Sequence, residues 1–155
     1  MRYLKDWIFA ILLLICTLVW IAQEPKSFDF LDLELRSLDG YLMNPPKETF
    51  ILHISTHNCQ SCKRDTQILM RYHVQHPSMP IVDVNLISSS EQREAIKKWK
   101  QKLDISYDVA TTQKSSVLAD RIPSTFVVSP AENRVLEIFG VLTYEKLLEA
   151  TQKEW

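Results

Sequence analysis

The sequence predicts an α/β sandwich of three layers, with a mixed sheet carrying helices on both faces. Two features lead there. Over residues 49–103, short apolar runs of the kind buried on both faces of a sheet alternate with stretches of helical periodicity. Two β-rich runs about a tight turn and a closing helix follow, so a parallel crossover is succeeded by an antiparallel edge. At 155 residues the chain suits one compact domain with a real core.

Ahead of that domain, residues 7–22 (WIFAILLLICTLVWIA) run for sixteen positions without a charge. As a helix they rise roughly 24 Å, a little under a hydrocarbon layer of ~30 Å, and Tyr3 and Leu4 can lengthen the span. Trp7 and Trp20 stand near its two ends, where amphipathic rings favour the membrane interfaces. Arg2 and Lys5 precede the run, while Gln23 and Glu24 follow it, so the positive side stays cytoplasmic and everything after residue 22 is exported. A cleaved signal peptide would have an equally short apolar region. Cleavage after Ala22, however, would put bulky Trp20 where a small residue is needed. Residues 1–27 therefore read as a cytoplasmic stub, a single transmembrane anchor at about 7–22 and a linker with Pro25. The domain occupies 28–155, and Cys16 is a small apolar packing residue of the anchor.

Within the domain, residues 28–38 (FDFLDLELRSL) alternate imperfectly, and Asp39-Gly40 is a turn signal, which predicts a hairpin. After Pro45-Pro46, residues 49–55 (TFILHIS) form a buried strand. The spacing of Ile68, Leu69 and Tyr72 predicts a helix that Pro77 and Pro80 terminate. A second buried strand spans 81–87 (IVDVNLI). Ser88-Ser89-Ser90 with Glu91 then caps a helix bearing Ile96, Trp99 and Leu103 on one side. Residues 105–109 read as a short strand and 113–121 as a short helix. Residues 125–129 and 134–139 form a hairpin about 130–133, and a last helix covers roughly 143–153. Trp99, Phe126 and Phe139 read as core, and Lys97, Lys98, Lys100 and Lys102 as a solvated helix side.

Composition removes several function classes. Eighteen basic against nineteen acidic residues leave no excess for holding a nucleic acid. The two glycines, Gly40 and Gly140, cannot build a phosphate-cradling loop. Three cysteines do not make a disulfide-stapled scaffold.

The chemistry gathers at Cys59-Gln60-Ser61-Cys62, between a buried strand and the first turn of a helix. Free backbone N–H groups and the positive dipole end there favour thiolate over thiol. Three positions apart, the two sulfurs share one side of the helix and can bridge. Cys59, at the tip, attacks a substrate disulfide, and Cys62, one turn deeper, resolves the mixed disulfide. A zinc site from Cys59, Cys62, His73 and His76 is excluded, because an unbroken helix spreads the set over about 16 Å. His73 and His76 read instead as solvated or helix-terminal side chains. Copper(I) on Cys59, Cys62 and His57 is chemically reasonable, since thiolates select that ion.

The dithiol after TFILHIS, the stretch Ile122-Pro123-Ser124-Thr125 before FVVS, and the terminal RVLEIFG together resemble thioredoxin. More narrowly, they resemble the membrane-anchored, periplasm-facing thiol-disulfide oxidoreductases of the TlpA/ResA type, including suppressor-of-copper-sensitivity D-like proteins. The likeness spans residues 28–155. It implies a thioredoxin-like fold, a cis Ile122–Pro123 peptide packed against the dithiol, and exchange of disulfides with protein substrates. It further implies reduction as the direction, a membrane electron donor for recharging, and no cofactor or metal besides the redox-active Cys59–Cys62 disulfide.

The chain departs from that family at Asn58, where tryptophan is usual, and at Gln60-Ser61, where no proline stands. His53 occupies the place of thioredoxin's buried acid. It is either the proton acceptor that activates Cys62 or a core histidine bonded to a neighbour. A copper-handling protein using the same thiolates, and a redox-silent thioredoxin-fold interaction module, are the alternative functions.

Overall fold

A computed structural model of the chain describes residues 34–113 and 121–153. Its central strands are β2 (Phe50–Ser55) and β3 (Ile81–Leu86). Every residue of β2 is buried, and so is every residue of β3 except Leu86, which is why both read as unbroken apolar runs rather than alternating ones. The other strands are β1 (Arg36–Ser37), β4 (Asp108–Thr112), β5 (Ser124–Ser129) and β6 (Arg134–Ile138). One mixed sheet results, in the order β1-β4-β3-β2-β5-β6. β2, β3 and β4 are mutually parallel, whereas β1, β5 and β6 each run antiparallel to the neighbour they join.

Three helices connect and close the sheet: α1 (Gln60–Gln75), α2 (Ser90–Leu103) and α3 (Tyr144–Gln152). Local chemistry sets their limits. Ser89 caps α2 by accepting from Gln92 N at 3.4 Å, and Thr143 caps α3 by accepting from Lys146 N at 3.3 Å. Asp104 ends α2 in the left-handed region at φ 52°.

Alternate strand residues feed two cores. Ile51, Ile81 and Val109 pack with Leu69 and Tyr72 of α1, Ile96 of α2 and Leu147 of α3. Phe50, Leu52, Ile54, Val82, Val84, Phe126 and Val128 form the opposite face with Leu35, and Met43 packs against them. Each such side chain contributes about 1.5–3 kcal/mol by leaving water. All three described helices therefore lie on one face. Helices on both faces were the sequence expectation, and the short helix expected at 113–121 falls almost wholly outside the described residues.

Other boundaries move as well. The strand expected at 105–109 is instead Asp108–Thr112. Ile105 and Tyr107 owe their burial to the connection, where Ile105 N bonds Lys100 O at 3.1 Å, and the strand itself carries the buried polar pair Thr111 and Thr112. The N-terminal hairpin is short, pairing Arg36 with Leu42 about Gly40, whose φ of 90° suits the turn. Residues 28–33 of the expected hairpin lie outside the described residues, as does the anchor expected at 7–22. Among the described residues no helix is long and apolar enough to cross a membrane.

Phe139 is not core, being 66% exposed. It follows the last paired residue of edge strand β6, and the chain turns at Gly140 (φ 77°). Trp99 is half-buried against the helix-side core, and Phe126 is buried. Of the lysines, Lys97 pairs with Asp39 and Lys100 donates to the Tyr107 carbonyl at 2.8 Å, so that side of α2 is only partly solvated.

Candidate active site

The strand directions bring three segments to one end of the sheet. β2 ends there and leads into α1. β5, antiparallel to it, begins there, with Ile54 opposite Ser124. β6 ends there too, with Ile138 opposite Thr125. Residues 56–59, the Ile122–Pro123 peptide and Phe139-Gly140-Val141 thus share an edge.

Cys59 is the N-cap of α1. The turn that delivers it closes with Cys59 N donating to Thr56 O at 3.2 Å. Its Sγ accepts from Cys62 N at 3.1 Å and lies 3.3 Å from Ser61 Oγ. No acidic residue stands in the first turn of α1, and Lys63 and Arg64 follow, both exposed. Once the bond is reduced, every one of these features favours negative charge on Cys59. Cys59 and Cys62 form a disulfide across a Cα–Cα distance of 5.2 Å. Cys59 is half-buried, whereas Cys62 is 3% exposed. An incoming sulfur therefore meets Cys59 first. Ile122–Pro123 is cis, and Pro123 is half-buried.

His53 is fully buried, its Nδ1 2.9 Å from Thr125 Oγ1 on the neighbouring strand. Burial alone lowers its pKa to about 4, so the ring is neutral at pH 7. Its Nε2 has no hydrogen-bond partner among the described residues. His57 lies half-buried in the loop before Cys59. His73 and His76 stand at the far end of α1. His76 is the C-cap, 3.1 Å from Tyr144 Oη, and the His73 ring meets Tyr107 edge-on at 6.0 Å. Among the described residues no three His, Cys, Asp or Glu side chains are grouped to hold a metal ion.

Sequence reasoning missed the polar floor around His53. Asp83 of β3 is fully buried directly beside it in the register and accepts from Ser55 Oγ at 2.7 Å. Burial raises its pKa to about 7, against the pull of the Ser55 bond. Asn85 and Thr111 are buried on the same side, and Thr66 Oγ1 donates to Cys62 O at 3.0 Å. Asp65, also buried, is raised by desolvation and pulled back by Arg64. The available signal was period two: in IVDVNL, Asp83 and Asn85 fall on the same face as Ile81, the face that His53 and Ser55 share with Ile51 in the strand alongside.

No family model matches the chain. The sporulation thiol-disulfide oxidoreductase A of Bacillus subtilis (strain 168) is 23% identical over 127 residues, covering 77% of each chain. The crystal structure of StoA from Bacillus subtilis superposes with a TM-score of 0.62 at 20% identity, covering 76% of this chain and 94% of that one. A thioredoxin-related protein from Neisseria meningitidis serogroup B gives 0.65 at 15% identity, covering 77% and 96%. Fold and dithiol agree with those likenesses: the chain has a thioredoxin-like fold with a Cys59–Cys62 disulfide in a CxxC pair, and it is similar to thiol-disulfide oxidoreductases.

Proposed function

We propose that this protein is a membrane-tethered thiol-disulfide oxidoreductase that works outside the cytoplasm and reduces disulfides in protein substrates. The observation that carries the reading is the asymmetry of the pair. Cys59 is half-buried at a helix N-cap, and Cys62 is buried one turn behind it. In this reading the Cys59 thiolate attacks a substrate disulfide, giving a mixed disulfide and releasing one substrate thiol. Cys62 then attacks Cys59 Sγ, which frees the second substrate thiol and restores the Cys59–Cys62 disulfide. Pro123, at the same end of the sheet, offers backbone to an extended substrate segment, and His53 handles the proton that Cys62 gives up.

Residues 7–22 supply the tether, with Arg2 and Lys5 holding the N-terminus inside. Each turnover leaves the pair oxidised, so a donor in the membrane must return two electrons. Reduction as the direction is supported by the resemblance to the TlpA/ResA type.

The test is acid-quenched alkylation of thiols in cells, combined with a Cys62→Ser variant. A reductase rests with the pair largely reduced, and Cys62→Ser accumulates a covalent adduct through Cys59. A pair resting oxidised would reverse the direction, and no adduct from either cysteine variant would remove exchange as the function.

A further inference from the structure

Among the buried side-chain polar atoms that the described residues leave without a hydrogen-bond partner, two are neighbours: His53 Nε2 and Asp83 Oδ2. An unmatched buried polar group costs about 1–3 kcal/mol. Two side by side call for an explanation. Register places them together, since His53 of β2 pairs with Asp83 of β3 and both are fully buried. Tyr107, ahead of β4, is raised by burial and by the charge of Asp83, while a hydrogen bond with Thr66 acts the other way. Thr66 in turn is bonded to the Cys62 carbonyl. The cluster thus lies against the inner side of α1, the side on which Cys62 is buried.

We propose that Asp83 is the residue that stores the Cys62 proton during resolution of the mixed disulfide, acting through the neighbouring His53. The inference rests on the exchange reading above and assigns its proton chemistry to a residue of β3. In the resolving step the Cys62 thiol loses its proton to the His53 imidazole, which hands it on to the Asp83 carboxylate. The Cys62 thiolate then bonds to Cys59 Sγ as the bond from Cys59 to substrate sulfur breaks. The substrate leaves as a thiolate and is protonated, and the Asp83 carboxyl returns its proton to solvent. The dithiol loses two electrons and the substrate disulfide gains them.

His53 by itself is poorly matched to this work. Burial makes its imidazole a weak base near 4, far from an ordinary thiol at ~8.5, whereas Asp83 near 7 comes much closer. The other groups around the site have neighbours of their own. Asp65 of α1 is bonded to Arg64, His73 of α1 faces the Tyr107 ring, Lys100 of α2 is tied to the Tyr107 carbonyl, and β4 and β5 contribute the neutral Thr111 and Thr125. Asp83 is a positioning residue in this scheme, since its hydrogen-bond partners are Ser55 and Asn85 rather than a sulfur.

The test uses the full chain in detergent with Cys16→Ala, reduced and mixed with the chromogenic disulfide of nitrothiobenzoate. Coloured thiolate is released once as Cys59 attacks and again as Cys62 resolves. Asp83→Asn should slow the second release about a hundredfold at neutral pH. It should also move the pH at which that release accelerates from about 7 up into the ordinary thiol range, with the first release unchanged. A second release with native rate and pH profile in Asp83→Asn overturns the proposal. A missing first release in the native protein overturns the exchange reading instead.

Should Asp83→Asn fail to fold, carboxyl carbon NMR of the native protein decides. The Asp83 carboxyl should titrate at a different pH in the dithiol and disulfide forms, because two sites that share a proton shift each other reciprocally. Identical midpoints in the two forms overturn the proposal.

Discussion

The two faces of the sheet are built from alternate residues of the same strands, yet they differ in kind. On one face Phe50, Leu52 and Ile54 run beside Val82 and Val84, with Ala110 and Phe126, and no polar side chain of β2 or β3 interrupts them. On the other, Ile51 and Ile81 begin in the same way. Then His53, Ser55, Asp83, Asn85 and Thr111 replace the apolar residues toward the strand ends that lead to the dithiol. A stretch meant only to fold would continue as it began. Burying these groups costs free energy that hydrogen bonds recover only in part, and the polar residues collect where thiol chemistry takes place. One face specifies the fold, and in the proposed function half of the other serves the cysteines.

The largest effect that tests this division lies at the cysteines themselves. Cys59→Ser should abolish turnover and form no adduct. Cys62→Ser should abolish turnover while trapping a substrate or small thiol on Cys59, read as a mass increase that a reductant removes. Cys59→Ser should unfold near the native midpoint of the reduced protein, because Cys59 is only half-buried, whereas Cys62 is 3% exposed and its variant should lose some stability.

Next comes the apolar face. Leu52 is 1% exposed, and Leu52→Ala should cost about 2–5 kcal/mol in chemical unfolding, the range for a core truncation that leaves a cavity. The pH profile of disulfide exchange should keep its shape in the surviving folded fraction. A displaced profile would mean that the two faces are not functionally separate.

Much of this arrangement was legible in the chain itself. TFILHIS and IVDVNLI declare central strands because long runs of branched apolar residues have few other uses, and Cys59-Gln60-Ser61-Cys62 sits where a strand hands over to a helix. Other features were hidden for physical reasons. Asp83 and Asn85 looked like interruptions in an apolar run, since a strand buried on both faces lacks the in–out alternation that would have revealed which side they occupy. Ile105 and Tyr107 looked like strand because they are buried, although they reach the core from a connection. Phe139 looked like core because aromatic residues usually are, and only the turn at Gly140 puts it outside.

The pH dependence of stability sharpens the comparison further. His53 is lowered from 6.5 to about 4 on folding, so between those values the unfolded chain binds more protons and stability rises with pH. Asp83 is raised from 3.8 to about 7, so the folded chain binds more protons and stability falls with pH across nearly the same window. Each slope amounts to about 1.4 kcal/mol per pH unit, and they oppose one another. The native protein should therefore show little change from these two groups between pH ~4.5 and ~6.5. Asp83→Asn leaves the histidine slope alone, and its stability should climb by roughly 2 kcal/mol across that interval. Denaturant titrations at several pH values read this directly, and a flat profile in Asp83→Asn would show that His53 is not held neutral by the fold.

The smallest expected effect concerns the surface at the dithiol end. Phe139 and Val141 are 66% and 57% exposed, flanking Gly140 where β6 delivers the chain to the same edge as Cys59 and Pro123. Apolar side chains left in water at the dithiol end of the sheet suit a protein substrate, which would cover them on docking; a small disulfide would not. Phe139→Ser removes apolar area that a docked chain would bury, worth about 1 kcal/mol if partly covered, or roughly fivefold in apparent affinity. Reduction of a protein disulfide should then show a KM raised about fivefold, while the rate with a small chromogenic disulfide and the unfolding midpoint stay as they were. Equal losses on both substrates would instead place Phe139 in the support of the dithiol, and no loss on either would leave the exposed pair unrelated to docking.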